Sequence, residues 1–369
     1  MVFRGIREFF HVDSHEYLSS LTGKYILSEL ASTGKSGSFF YYSRDYRFII
    51  KTIHDSEHKV LLQMLKNYYQ HVQSNPHTLL SRIFGLHRVK RPGNKKIHFV
   101  VMANVFPIHK DIHEVFDLKG SLLGRSISEE EVVKSPQAVM KDLNWLEKGK
   151  SIRLGPEKGE IFMIQLERDV DFLKANKIMD YSLLIGIHDI IKGNADDIRN
   201  NTLSLFHPSA STSLLQRGIG SVAKAMRVTM AGISSPNISE SIPLERKFCV
   251  FYEDEGGFRA TDPHNIPLDE IYYLGLIDIF TKYGIKKRLE TFIKSMGLDK
   301  KKISAVNPVY YADRFLRFVT KSIKGCEHKP IPAEAIFTNS LLDHKASGNL
   351  PAAVLRSKRA LNHSTSDVG

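Results

Sequence analysis

Three charged side chains lie in apolar company. Lys51 stands inside the run Phe48–Ile53, Asp180 stands just ahead of Leu183–Ile187, and Asp278 stands within Tyr272–Phe280. A charge in such a setting needs a partner, since burying it alone is strongly unfavourable. A lysine there suits the oxygens of a phosphate. A carboxylate inside an apolar run must be paired, hydrogen-bonded or metal-bound. A second carboxylate, at a helix-to-strand junction, is placed to act as a general base or to position a hydroxyl. Plainer readings stand beside these. Lys51 can be an edge-strand lysine in water, and Asp180 can cap its own turn.

The elements around these residues follow from pattern. Residues 1–30 read as helical, with Phe9, Phe10, Tyr17, Leu18 and Leu21 inward. Phe39–Tyr42 and Arg47–Ile53 read as strands joined by a turn at Ser43–Asp45. Before them, Gly34, Lys35, Ser36, Gly37 and Ser38 form a flexible loop rich in backbone N–H groups. It can close over phosphates or be a simple hairpin turn. It is not a Walker loop, because position 29 is Glu and a strand follows. A glycine loop, a strand, a turn and a strand bearing an inward lysine is how kinase-like enzymes hold nucleotide phosphates. Leu61, Met64, Leu65, Tyr68, Tyr69 and Val72 make one face of a helix, capped by Asp55 or Ser56. Glu57 lies a turn earlier, as an ion-pair partner for Lys51 or as a first-turn acid. Ile83–Val89 and Ile97–Phe106 are further strands, and Met102–Val105 falls where a kinase-like fold contacts adenine.

Further on, Lys119 and Gly120 make a turn suited to phosphate or to a satisfied surface bend. Ile161–Lys177 is an amphipathic helix ahead of Asp180, and Phe248–Tyr252 and Phe258–Thr261 read as a hairpin. Ile285, Leu289, Phe292, Ile293 and Met296 then recur at helical spacing among Lys286, Lys287, Arg288 and Lys294. A short basic amphipathic helix of this kind lies on an anionic membrane or a partner protein. Lys282–Lys302 carries eight basic residues against two acidic ones, a net +6, and each cation near an anionic surface contributes roughly 1 kcal/mol.

The whole chain of 369 residues has a formal charge of +12, which favours nucleic acid, anionic lipid or a phosphorylated substrate. Cys249 and Cys326 have no metal-ligand spacing, which argues against a disulfide framework and fits a reducing compartment. No stretch approaches the ~18 apolar residues of a membrane span, and MVFRGIREFF has no signal-peptide core. Membrane contact is therefore expected to be peripheral. Residues 1–106 are expected to form a first lobe and residues 107–320 a second. The second lobe carries a Ser-, Asn- and Gly-rich insertion at about 191–243, and 321–369 form a mobile tail.

GKSGSFFY, FIIKTI, NPHTLL, FDLKGS, IMDYSLLIGIHD, FYEDEGGFRATD, YYLGLIDIF and KKRLE occur in one order. That order resembles the phosphatidylinositol phosphate kinase family, over about residues 15–320. The resemblance implies an α+β, two-lobed atypical kinase-like fold with a mostly antiparallel β N-lobe, an α/β C-lobe and a flat basic face. It implies ATP and Mg²⁺ as cofactors. Lys51 would hold the ATP phosphates, Asp180 would match the catalytic-loop aspartate, and Asp278 the magnesium-binding aspartate. Residues 279–308 would be the loop that selects the lipid, docked by Lys286 and Lys287. Glu290 resembles the type I subfamily, in which Glu marks preference for phosphatidylinositol 4-phosphate; type II members carry Ala. Leu122-Leu123-Gly124 after DLKGS departs from the bulkier residues of the family, and Val306-Asn307-Pro308 looks more like the type II loop end.

The implied work is at the anionic inner face of the plasma membrane, in the cytoplasm, with the nucleus as a further location. Several family members dimerise, which makes a homodimer an expectation of the resemblance, although no self-complementary surface stands out in these residues. A protein kinase would need His-Arg-Asp and Asp-Phe-Gly motifs, which are missing where they would be required. A non-catalytic phosphoinositide- or nucleic-acid-binding module would not need Lys51, Asp180 and Asp278 together, and nucleic acid is not an expected partner.

Overall fold

The computed structural model describes residues 2–22, 28–30, 38–43, 45–90, 93, 96–134, 138–198, 249–283 and 307–325. The fold is α+β, built on two five-stranded sheets. Helices α1 (Val2–Phe9) and α2 (Ser14–Thr22) open the chain. Ile6, Phe10 and Tyr17 face the core, whereas Leu18 is exposed. The expected all-helical start ends early, because Ser28–Leu30 is a strand, β1. It pairs with β2 (Phe40–Tyr42), and β2 pairs with β3 (Phe48–Ile53). Helix α3 (Asp55–Ser74) follows, then β4 (Ile83–Lys90) and β5 (Lys96–Ala103). The order β1-β2-β3-β5-β4 is antiparallel throughout and puts β3 in the middle. Helix α3 is a helix because its apolar residues recur each turn. Leu61, Met64, Tyr68 and Val72 are the buried ones.

The second lobe begins with β6 (Glu114–Leu118), α4 (Glu129–Lys134), β7 (Val139–Met140), α5 (Asp142–Glu147) and β8 (Ile152–Arg153). The long helix α6 (Pro156–Ala175) follows, with Pro156 in its first turn, where a missing N–H costs nothing. Then come β9 (Ile178–Met179) and β10 (Ser182–Asp189). Of the strand expected over 248–252, the described part does not form: Val250–Tyr252 is a single 3-10 turn, and Val250 and Phe251 pack inward. Strands β11 (Phe258–Thr261), β12 (Pro267–Ile277) and β13 (Thr281–Lys282) precede α7 (Pro308–Ser322) and β14 (Ile323–Lys324). The second sheet runs β11-β12-β10-β6-β7. Its centre is the β10–β12 pair, from Ser182↔Ile277 to Asp189↔Glu270. Trp145, buried on α5, packs edge-on to Phe116 of β6 at 4.9 Å. Residues 191–198 are not loose: the Asn194 side chain bonds the Asp111 amide and the His109 carbonyl.

Hydrogen bonds sew the lobes together. The segment after α3 lies along the end of β12: Leu276 donates to the Leu79 carbonyl at 2.7 Å, and Ser81 donates back to Leu276 at 2.9 Å. Asp169 of α6, fully buried, accepts from Thr78 Oγ1, the Leu79 amide and Gln165, and bonds His71 of α3 at 2.6 Å. After β5 the chain crosses over directly. The Phe106 ring presses on Gly186 so closely that a Cβ there would meet it at 2.6 Å.

Candidate active site

Lys51 is no edge lysine. It sits in the middle strand β3, is 5% exposed, and points at the junction of the two lobes. Its ammonium lies 2.7 Å from Asp278 Oδ1 and over the rings of Phe40 and Phe280 at 5.2 and 5.6 Å. Asp278 is not inside the strand, as the apolar run suggests. β12 stops at Ile277, and Asp278 turns into the left-handed region with φ +60. Aspartate tolerates that conformation better than most residues. The turn brings the carboxylate out of the sheet, and 42% of its side chain remains open to the cleft. Burial pushes the Asp278 carboxyl upward. The charge and hydrogen bond of Lys51, with the charge of Lys119, outweigh that and hold it below its ordinary value.

Asp180 has the same unusual backbone, with φ +63. Met179 pairs with Thr281 and Ser182 with Ile277. Residues 180–181 and 278–280 are therefore the two unpaired links that face each other between those pairs. Both acids leave the sheet at the same level. Tyr181, fully buried beside Asp180, is clamped edge-on by Tyr311 and Phe315 at 4.8 and 5.2 Å, and its carbonyl accepts from the Tyr311 hydroxyl. That anchor fixes Asp180 at the surface of a rigid core.

The Lys119 turn is built around an acid that sequence pattern does not reveal. Asp142, fully buried at the start of α5, accepts through Oδ1 from the amides of Lys119, Gly120 and Ser121 at 2.9, 2.7 and 3.3 Å. Its other oxygen accepts from Arg125 Nε at 2.7 Å, and Arg125 also reaches Asp117. The amides of this turn are thus occupied. What it offers an anion is the Lys119 ammonium. Gly120 has φ +64, and a Cβ there would meet α7 at 3.1 Å, so only glycine fits without strain. Behind the turn lies a cavity of about 360 Å³ lined by Trp145, Lys150, Arg314, Arg317 and Lys321, among others.

Lys51, Asp278, Asp180 and Lys119 are therefore brought to one cleft. Glu57 is not. Its carboxylate turns back to accept from the His54 amide at 2.8 Å, closing the start of α3. Asp278, 227 residues from Lys51 in sequence, takes the place expected for Glu57. Ser38 is buried just ahead of β2. Gly34, Lys35, Ser36, Gly37, Lys286, Lys287, Arg288 and Glu290 lie outside the described residues. Asp142 and Asp169 were missed because an acid in the first turn of a helix, or on a helix, ordinarily reads as solvated. Their partners are brought in only by the tertiary fold.

An open carboxylate with one oxygen on a lysine fits Mg²⁺, which takes one or two carboxylates, keeps waters, and completes its shell with substrate phosphates. Among the described residues, Lys51 is the only side chain bonded to Asp278.

Residues 21–322 match the family model described as phosphatidylinositol-4-phosphate 5-kinase. The chain is 50% identical over 334 residues to a phosphatidylinositol 4-phosphate 5-kinase of Schizosaccharomyces pombe, covering 88% of this chain and 45% of that protein. It is 37% identical over 342 residues to a probable phosphatidylinositol phosphate kinase of Dictyostelium discoideum, covering 87% and 46%. It is also 37% identical over 328 residues to phosphatidylinositol 4-phosphate 5-kinase 3 of Arabidopsis thaliana, covering 87% and 44%. The chain spans about half the length of the curated relatives it matches.

Proposed function

The chain belongs to the phosphatidylinositol-4-phosphate 5-kinase family, and from that premise we propose that it transfers the γ-phosphoryl group of ATP to the 5-hydroxyl of phosphatidylinositol 4-phosphate. The observation that carries the reading is the Lys51–Asp278 contact at the lobe junction, with Lys119 in electrostatic reach. Phosphoryl transfer is mainly positioning and charge neutralisation. Lys51, fixed in the central strand, holds the phosphates. Asp278, kept ionised, would offer its oxygens to Mg²⁺, and Asp180 on the facing link accepts the hydrogen bond of the inositol hydroxyl. When bound, Mg²⁺ neutralises charge on the β- and γ-phosphates. Asp180 also orients the hydroxyl and takes its proton. Lys119 meets the existing 4-phosphate as a point charge.

The place of work in this reading is the cytoplasmic face of the plasma membrane. The net +6 over 282–302 supports it, and Glu290 supports the choice of the 4-phosphate. Purified chain, Mg–ATP and vesicles carrying phosphatidylinositol 4-phosphate or 5-phosphate test this, with wild type and Asp278→Asn side by side. Turnover of the 4-phosphate that is lost in Asp278→Asn is expected. Turnover of the 5-phosphate alone would overturn the ring-position assignment. Equal turnover by the variant would overturn the role of Asp278.

A further inference from the structure

Among the described residues, one cluster of ligating side chains lies outside the cleft. Asp55 and His58 are one turn apart at the start of α3, and His98 projects from β5 beside them. One ligand atom from each lies within 4.8 Å of the others. The His58 and His98 rings are stacked at 4.0 Å, 17° from parallel. Asp55 divides its two oxygens. Oδ2 is held by Lys59 at 2.8 Å, while Oδ1 faces His98 Nδ1 at 3.9 Å. His98 is buried, His58 half-buried and Asp55 exposed, so the cluster opens to solvent on one side.

We propose that Asp55, His58 and His98 form a binding site for a transition-metal dication of the zinc type. Two imidazole nitrogens and one carboxylate oxygen are a ligand set for Zn²⁺ and its first-row neighbours, with a fourth position left to water. The same set does not suit Mg²⁺, which prefers oxygen alone. Ligand atoms in a tetrahedral site with bonds of ~2.0–2.1 Å stand about 3.3 Å apart. The observed spacing needs a contraction of about 1.5 Å at its widest. Parallel rings cannot aim both lone pairs at one ion, so binding turns His58, the more open ring, out of the stack. Lys59 and Arg88 are the nearby cations that moderate the affinity.

The location gives the site its meaning. Ile53, across from His98 in the sheet, is two residues beyond Lys51, and α3 begins two residues after it. A bound ion would tie the first turn of α3 to β5 and stiffen the strand that carries Lys51.

The test uses the full chain after chelator treatment, with Zn²⁺ for calorimetry and thermal unfolding and Co²⁺ for its visible spectrum. Wild type should take up one equivalent of Zn²⁺, unfold at a higher temperature with it, and give the intense d–d bands of a low-coordinate Co²⁺ site. His58→Ala and Asp55→Ser should lose the bands and weaken binding by roughly tenfold or more. His15→Ala, at an exposed histidine elsewhere, should behave as wild type. Excess Mg²⁺ should not displace the ion. Stoichiometry, spectrum and stabilisation unchanged in His58→Ala and Asp55→Ser would overturn the proposal, as would no uptake by wild type.

Discussion

Replacing Lys51 by Met separates a pair kept for function from one kept for stability. Lys51 is 5% exposed and its ammonium lies over two aromatic rings; Asp278 keeps 42% of its side chain open. Breaking a fully buried ion pair from one side costs about 3–5 kcal/mol, and an exposed pair contributes about 0–1 kcal/mol. The asymmetry here sets which side matters. Asp278→Asn leaves a buried ammonium with a weaker partner and should cost roughly 1–3 kcal/mol, discounted for the open carboxylate. Lys51→Met leaves a carboxylate that water can reach and places an apolar chain of similar length between Phe40 and Phe280. Its expected cost is within about 1 kcal/mol of zero, and stabilisation is allowed. Urea unfolding of wild type, both single variants and the double variant closes the cycle. At a slope of about 2 kcal/mol per molar, a 2 kcal/mol loss moves the midpoint by roughly 1 M. Both single variants should lack lipid kinase activity. A greater destabilisation of Lys51→Met than of Asp278→Asn would show that the charge pair is a structural support rather than one kept for function.

Asp142→Asn keeps an acceptor for the Lys119 turn but sets an NH₂ against Arg125, which still has Asp117. A loss of about 2–3 kcal/mol is expected, with a larger rise in KM for the lipid than fall in kcat; steady-state kinetics decide it, and an unchanged KM would show that the turn does not position Lys119. Asp169→Ala strips the acceptor from His71, Thr78, Leu79 and Gln165 at once and should cost at least about 4 kcal/mol, whereas Thr78→Val should cost about 1–2 kcal/mol; similar unfolding midpoints for the two would contradict the network. Glu255, hydrogen-bonded to Lys110, is held below its ordinary pKa by that bond, although burial opposes it. A depressed carboxyl stabilises the fold above its unfolded pKa, and this contribution disappears as pH falls through the folded value. Lys110→Ala should raise the Glu255 midpoint in a carbonyl NMR titration and remove that part of the acid dependence.

Much of the first lobe was legible because period-2 and period-3.6 patterns are local. β3, α3 and the turn between β2 and β3 appear nearly where pattern puts them. Lys51 was legible for the same reason: a lysine inside FIIKTI has few bland explanations. Asp278 was legible as an acid needing a partner, but not as a residue beyond the strand end, since Ile279 and Phe280 continue the apolar run after the backbone has turned. Glu57 misled because helix face alone cannot tell an inward acid from one folded back on its own amides. β1 was hidden by its brevity; three residues carry no period. Asp142 and Asp169 needed the third dimension.

The stitch of Leu79–Ser81 onto Leu276 also has a bearing on how the molecule comes apart. β11 pairs with β12 only as far as Tyr272, so the far half of that edge is covered by a strand fragment from the other lobe. Neither lobe can be removed without exposing unpaired amides on the one left behind. The two lobes should therefore melt in a single transition, and the amides of Ser81 and Leu276 should exchange with solvent only when the whole body opens. Expression of residues 1–106 alone should give an aggregation-prone fragment rather than a small folded sheet.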